Sequence, residues 1–201
     1  MNAPRKSQKG KRFTADYIEY DVAMTKGSAL LVKGKKPVIG LYIIVAINTG
    51  LRVSDILSIK HSDLYHKLEG EHVDLVEQKT GKTRHLTINK NVKDAHDYYM
   101  KHHFRGNKFE LEVPIFISQK QSVYATETFN TILKDIFQGD AKNISTHSLR
   151  KTFGRRVYDV NGKSDAALIL LSEIFSHASV ATTRRYLGLR QEEIDDVYLN
   201  L

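Results

Sequence analysis

The sequence predicts a mainly α-helical domain with one small antiparallel β-hairpin, an α+β fold. Three observations predict it. Apolar residues recur at helical spacing along most of the chain. Two short β-like stretches, 72–78 and 83–88, flank a link containing Gly81. Caps and breakers (Pro37, Gly50, Gly139, Ser145) stand where those patterns start or stop.

In chain order, residues 1–12 are polar and basic and read as a flexible arm. Thr14 is placed to cap a first helix ending near Gly27. Pro37 opens a second helix and Gly50 ends it. That helix, PVIGLYIIVAINT, is apolar nearly all round, which predicts a central position in the core. A short helix follows over about 53–59, then the hairpin. Residues 89–104 read as a helix through Val92, Ala95, His96 and Tyr99, and 114–117 as an extended piece. Thr126 is read as the cap of an amphipathic helix whose stripe is Phe129, Ile132, Leu133 and Ile136. Ser145 or Thr146 caps the next helix, carrying Leu149, Phe153 and Val157. Three more helices are expected over 166–175, 180–187 and 191–201.

Composition narrows the class. The chain has 201 residues, a formal net charge of +8 and no cysteine. Excess Lys and Arg favours a polyanionic partner, because each neutralised phosphate releases counterions. Without cysteine there is no disulfide framework and no thiolate chemistry. The longest apolar run, Val38–Ile47, is about half of what a bilayer span needs. The basic N-terminus has no apolar signal core behind it, so a cytoplasmic protein with no membrane attachment is expected.

Three segments carry the chemistry. The first is Thr49-Gly50-Leu51-Arg52-Val53-Ser54-Asp55, the second His147-Ser148-Leu149-Arg150, and the third runs from Phe175-Ser176-His177 to Arg184-Arg185-Tyr186. In order and spacing they resemble the motifs of the tyrosine recombinase (phage integrase) family: a first arginine, a His-x-x-Arg pair, and a tyrosine nine residues after a histidine. Gln78-Lys79-Thr80-Gly81-Lys82 is similar to the family's hairpin lysine segment. The resemblance covers about residues 37–190 and implies the catalytic-domain fold of that family. Two departures stand out: Ser176 occupies a position that is usually Gly, and the spacing from Arg150 to His177 is a few residues longer than usual in the family, with an Asn161-Gly162 turn inside it.

The residue types suit phosphodiester chemistry. Arg52 and Arg150 are candidates to bind the non-bridging oxygens with planar, permanently charged forks and to stabilise the charge that builds up in the transition state. A tyrosine hydroxyl has a pKa near 10 and needs help to ionise. His147, one helical turn from Arg150, is the candidate general base. His177 is the candidate to bond the phosphate or orient the site. The leaving 5′-hydroxyl needs a proton donor; Lys79 is the candidate, with Lys82 as the alternative. The resemblance implies that Asp55 braces Arg52 or the local turn. The resemblance implies that Tyr186 forms a 3′-phosphotyrosyl link with double-stranded DNA, with no cofactor and no metal, so that strands are cut and rejoined in integration, excision or inversion.

Residues 13–190 are thus read as the catalytic domain, without the N-terminal clamp domain many family members carry. The layout resembles that of short recombinases that invert promoter segments. Ile194, Val197, Tyr198 and Leu201 share one face of the last helix, expected to pack on a neighbouring subunit of a homo-tetramer on paired sites, or on its own domain. Reliance on neighbouring subunits or accessory DNA-bending proteins is expected. A type IB topoisomerase and a catalytically dead DNA-binding regulator are the competing readings.

Overall fold

Helix α2 (Pro37–Thr49) organises the molecule. The computed structural model describes residues 14–34, 36–104, 111–118 and 122–201, with the backbone alone at 190–193; the basic arm read over 1–12 lies outside them. Ile39, Leu41, Tyr42, Ile43, Ile44, Val45 and Ile47 of α2 are all buried. Each of the aliphatic ones contributes about 1.5–3 kcal/mol by burial. Tyr42 packs between Phe116 and Phe129, at ring-centroid distances of 5.6 and 4.0 Å. Among the described residues no single helix is long and apolar enough to cross a membrane.

Around α2 lie α1 (Tyr20–Val32), α3 (Val53–Leu57), α4 (His61–Tyr65), α5 (Lys90–His102), α6 (Thr126–Ile136) and α7 (Thr146–Val160). Strands β1 (His72–Val76) and β2 (Thr83–Thr87) pair antiparallel in the register His72 to Thr87 and Val76 to Thr83. Val73, Leu75 and Leu86 point inward, as a half-buried hairpin requires. Helices α8 (Asp165–Phe175), α9 (Val180–Leu187) and α10 (Leu189–Leu199) complete the order. Leu168, Leu171, Phe175 and Leu187 form a second small core on which Phe153 and Tyr186 pack.

Three expectations are corrected. Thr14 caps no helix: α1 starts at Tyr20 after Glu19. Residues 14–19 instead form a strap along α7. Asp16 N donates to Asn143 O (2.9 Å), Ile18 N donates to Thr152 Oγ1 (3.0 Å), and Thr152 Oγ1 donates to Ile18 O (2.7 Å). The side chain of Ile18 is buried. Nor does α1 stop at Gly27. That glycine lies inside the helix where it crosses α2, and a Cβ on Gly40 would stand 2.5 Å from Gly27 O. Glycine here serves close helix approach rather than termination. Finally, Thr126 is the first residue of α6 and Ala125 its cap, with no side-chain cap bond. Helix α4 has no counterpart in the sequence reading.

Candidate active site

Local sequence explains how each candidate is presented. Gly50 ends α2 in the left-handed region (φ 59°), and a Cβ there would lie 2.3 Å from the Phe153 ring. The chain turns at once into α3, with Arg52 at its N-cap. Ser145 caps α7 by accepting from His147 N, which sets His147 and Arg150 one turn apart. Ser176 closes α8 at φ 54°, an uncommon conformation for a residue with a side chain. It turns His177 back toward α9, which carries Tyr186.

Arg52 and Arg150 meet at one atom. Arg52 Nη2 donates to Phe175 O at 3.4 Å and Arg150 Nη2 to the same oxygen at 3.1 Å. Arg150 Nη1 also donates to Gly50 O at 2.5 Å, and its guanidinium lies 4.4 Å over the Phe175 ring. The acceptors are carbonyls at the C-terminal ends of α2 and α8, where helices leave carbonyl oxygens unpaired and partial negative charge accumulates. Arg150 is 5% exposed, and burial pulls its pKa down to about 10.

The phenol of Tyr186 is docked beside them. Its ring lies 5.5 Å from that of Phe175 and 5.2 Å from that of His177, with Lys151 Nζ 5.4 Å from its centre. Its Oη is enclosed and has no well-aligned hydrogen-bond partner. Burial raises its pKa to about 12, and the nearby charges of Arg150 and Arg52 offset only part of that rise. His177 Nδ1 lies 3.0 Å from Thr183 Oγ1. Burial, then the charges of Arg150 and Arg52, hold its pKa below the ordinary histidine value. His147 is solvent-accessible, yet the same causes, with Lys151 added, lower its pKa too. Both imidazoles are therefore neutral at pH 7 and able to accept a proton.

Lys79 is exposed in the turn between the strands, and Lys82 is exposed at its far end. Asp55 is 1% exposed. Its Oδ1 accepts from Gln78 N at 2.9 Å, whereas Arg52 Nη1 is 3.9 Å from Oδ2. Asp55 thus ties α3 to the hairpin link more closely than it braces the arginine.

Sequence reasoning missed two charged neighbours. Glu77, 4% exposed, places Oε2 2.9 Å from Arg52 Nη1. Arg84 Nη2 donates to Thr49 O at 3.2 Å. A signal existed: Glu77 continues the inward alternation of Val73 and Leu75, and Arg84 shares the face of Leu86. Charges at inward strand positions are costly unless paired. Three guanidiniums against the two carboxylates of Asp55 and Glu77 leave one excess positive charge, so the cluster suits an anion. Among the described residues no group of three or more His, Asp and Glu side chains is placed to hold a metal ion.

Residues 33–193 match the model of the phage integrase family. A probable integrase/recombinase YoeC of Bacillus subtilis is 27% identical over 155 residues, 77% of this chain and 80% of that protein. The tyrosine recombinase XerD of Oceanobacillus iheyensis is 29% identical over 159 residues, and the match covers 75% of this chain but 50% of that protein. The chain thus spans about half the length of such Xer relatives. Among solved structures, XerA recombinase superposes with a TM-score of 0.67 at 22% identity, covering 94% of this chain and 65% of that one. XerH recombinase bound to a palindromic difH substrate gives 0.64 at 17% identity, covering 95% and 54%. The fold is that of these recombinases' catalytic domains.

Proposed function

Because the chain belongs to the phage integrase family, we propose that it is a tyrosine-type site-specific recombinase that cleaves and rejoins double-stranded DNA through Tyr186. The observation that carries this reading is the meeting of Arg52 and Arg150 at Phe175 O, with the Tyr186 ring packed against Phe175.

In this reading a scissile phosphate takes the place of the shared carbonyl as acceptor for both forks. Two guanidiniums held in advance need little reorganisation as charge builds up on phosphorus. The Tyr186 hydroxyl is protonated at pH 7. Neutral His147 takes its proton as the oxygen attacks phosphorus, and His177 bonds a phosphate oxygen. The P–O bond to the 5′-oxygen breaks as the 3′-phosphotyrosyl bond forms, and Lys79 delivers the proton that the leaving oxygen needs. Attack by a 5′-hydroxyl on the phosphotyrosine reverses these steps and rejoins the strand. Residues 13–190 form the catalytic unit in this proposal. Four copies act on paired sites in the cytoplasm, with accessory DNA-bending proteins where the site requires them.

The test is covalent capture. Nicked duplexes lose a short fragment on cleavage and so trap the enzyme–DNA link. Wild-type protein should yield a band on a denaturing gel and Tyr186→Phe none. A band of equal intensity from both proteins would remove Tyr186 from the reaction. Absence of any band across a pool of duplexes randomised around the nick would leave the regulator reading standing.

A further inference from the structure

Glu77 and Arg84 have no part in the mechanism above, yet they are built into its centre. The Glu77 carboxylate accepts from Thr80 Oγ1 at 2.8 Å, lies 2.9 Å from Arg52 Nη1, and lies 4.0 Å from Arg84 Nη1. Arg84 is fixed independently through Thr49 O, one residue before the Gly50 carbonyl that holds Arg150. At the other end, Glu77 N donates to Lys82 O and Gly81 N donates to Glu77 O, so this residue closes the loop that carries Lys79.

The pairing is close in distance but unfinished in direction. Arg52 Nη1 and Arg84 Nη1 are enclosed without an aligned acceptor, and Asp55 Oδ2 is enclosed without an aligned donor. A carboxylate at this range fixes where a guanidinium sits by charge. It leaves the Nη1 groups, which lack a well-aligned acceptor, able to turn toward another anion. A hub meant only for stability would be better served by apolar side chains, since burying ion pairs is seldom a net gain.

We propose that Glu77 is a positioning residue for strand cleavage: it holds the Arg52 guanidinium in register with Arg150 and, through Thr80, ties that guanidinium to the turn bearing Lys79. The inference rests on the recombinase reading. Burial pushes the Glu77 carboxyl up, but Thr80, Arg52 and Arg84 together bring it below the usual carboxylate range, so it is charged at neutral pH. Removing that charge adds net positive charge beside the DNA site. Chemistry and DNA affinity should therefore part company.

The experiment uses the full chain and a pool of nicked duplexes randomised around the nick. Trapping rate, duplex affinity and thermal unfolding are measured for wild type, Glu77→Gln, Glu77→Asp and Thr80→Val. Glu77→Gln should trap about 10–100-fold more slowly, the scale on which a catalytic group displaced by about an ångström loses rate. Its duplex affinity should stay level or rise. Glu77→Asp should recover part of the rate. Thr80→Val, at an exposed turn position, should slow trapping severalfold at an unchanged unfolding midpoint, which keeps the test decisive if Glu77→Gln folds poorly. Wild-type trapping with an unimpaired Glu77→Gln overturns this inference alone. So does a loss that follows only the folded fraction, with Thr80→Val at the wild-type rate. A wild type that traps nothing overturns the recombinase reading and this inference with it.

Discussion

At the scale of single residues, the site depends on what each side chain can do that its nearest substitute cannot. Arg150 donates from both Nη atoms to two different carbonyls while its flat face covers the Phe175 ring. Lysine keeps the charge but has neither fork nor plane. Arg150→Lys should therefore lower the trapping rate by about 10²–10³-fold, the range found for losing one aligned donor to a developing anion; a loss under threefold would remove the fork from the account. His147 and His177 both have lowered pKa values. They stay neutral, and the reaction keeps its rate, to pH values below the ordinary histidine value of about 6.5. A pH–rate profile with an acid limb above that value would contradict this assignment. Ser176 bears a cost of its own at φ 54°. Ser176→Gly should raise stability by about 0.5–1 kcal/mol, read from urea denaturation. That Arg52, Arg150, His177 and Tyr186 come together was legible because their motifs keep order and spacing. Glu77 and Arg84 were overlooked although the alternation marks both as inward-facing, because alternation gives the face of the hairpin and not the Arg52 and Thr49 groups that they meet there.

At the scale of elements, the arginines are organised by helix ends. Thr49 O, Gly50 O and Phe175 O lie at the C-termini of α2 and α8 and accept from Arg84, Arg150 and Arg52. Helix α2 was legible because thirteen residues without a charge can only be buried. The strap over 14–19 was not, since its extended shape is imposed by Asn143 and Thr152, more than a hundred positions away. Helix α4 escaped for a related reason: its five residues HSDLY are too few to show a period. It brings His61 against His96 of α5, with ring nitrogens 3.4 Å apart. Both are buried, and burial pulls both pKa values down to about 4. The unfolded chain takes up protons near pH 6.5 and the folded one only near 4, so stability falls as pH drops through that window. The loss should reach a few kcal/mol, seen as a falling unfolding midpoint. His96→Gln should flatten the dependence. A wild-type midpoint that stays level from pH 7 to 4 would contradict the buried neutral pair.

At the scale of the whole molecule, the main core around α2 and the smaller one beneath α8 and α9 each supply part of the site. Arg52 and Arg150 come from the first region and Tyr186 from the second. Beyond them, α10 leaves Ile194 40%, Val197 62% and Tyr198 75% exposed, and Leu201, two residues past its end, 98% exposed, so these side chains are open to a neighbouring copy. Deleting the residues after Gly188 should abolish assembly of four copies on paired sites, measured by light scattering, and survival of the assembly would contradict the intersubunit role proposed for this helix. The central claim is that the phenol docked between Phe175 and His177 is the atom that joins DNA. Trypsin cuts after Arg185 and Arg190 and so isolates Tyr186–Arg190 as one short peptide. Mass spectrometry of trapped, nuclease-trimmed complex should find the nucleotide on that peptide. Finding it on a peptide carrying any of the other tyrosines would contradict the account.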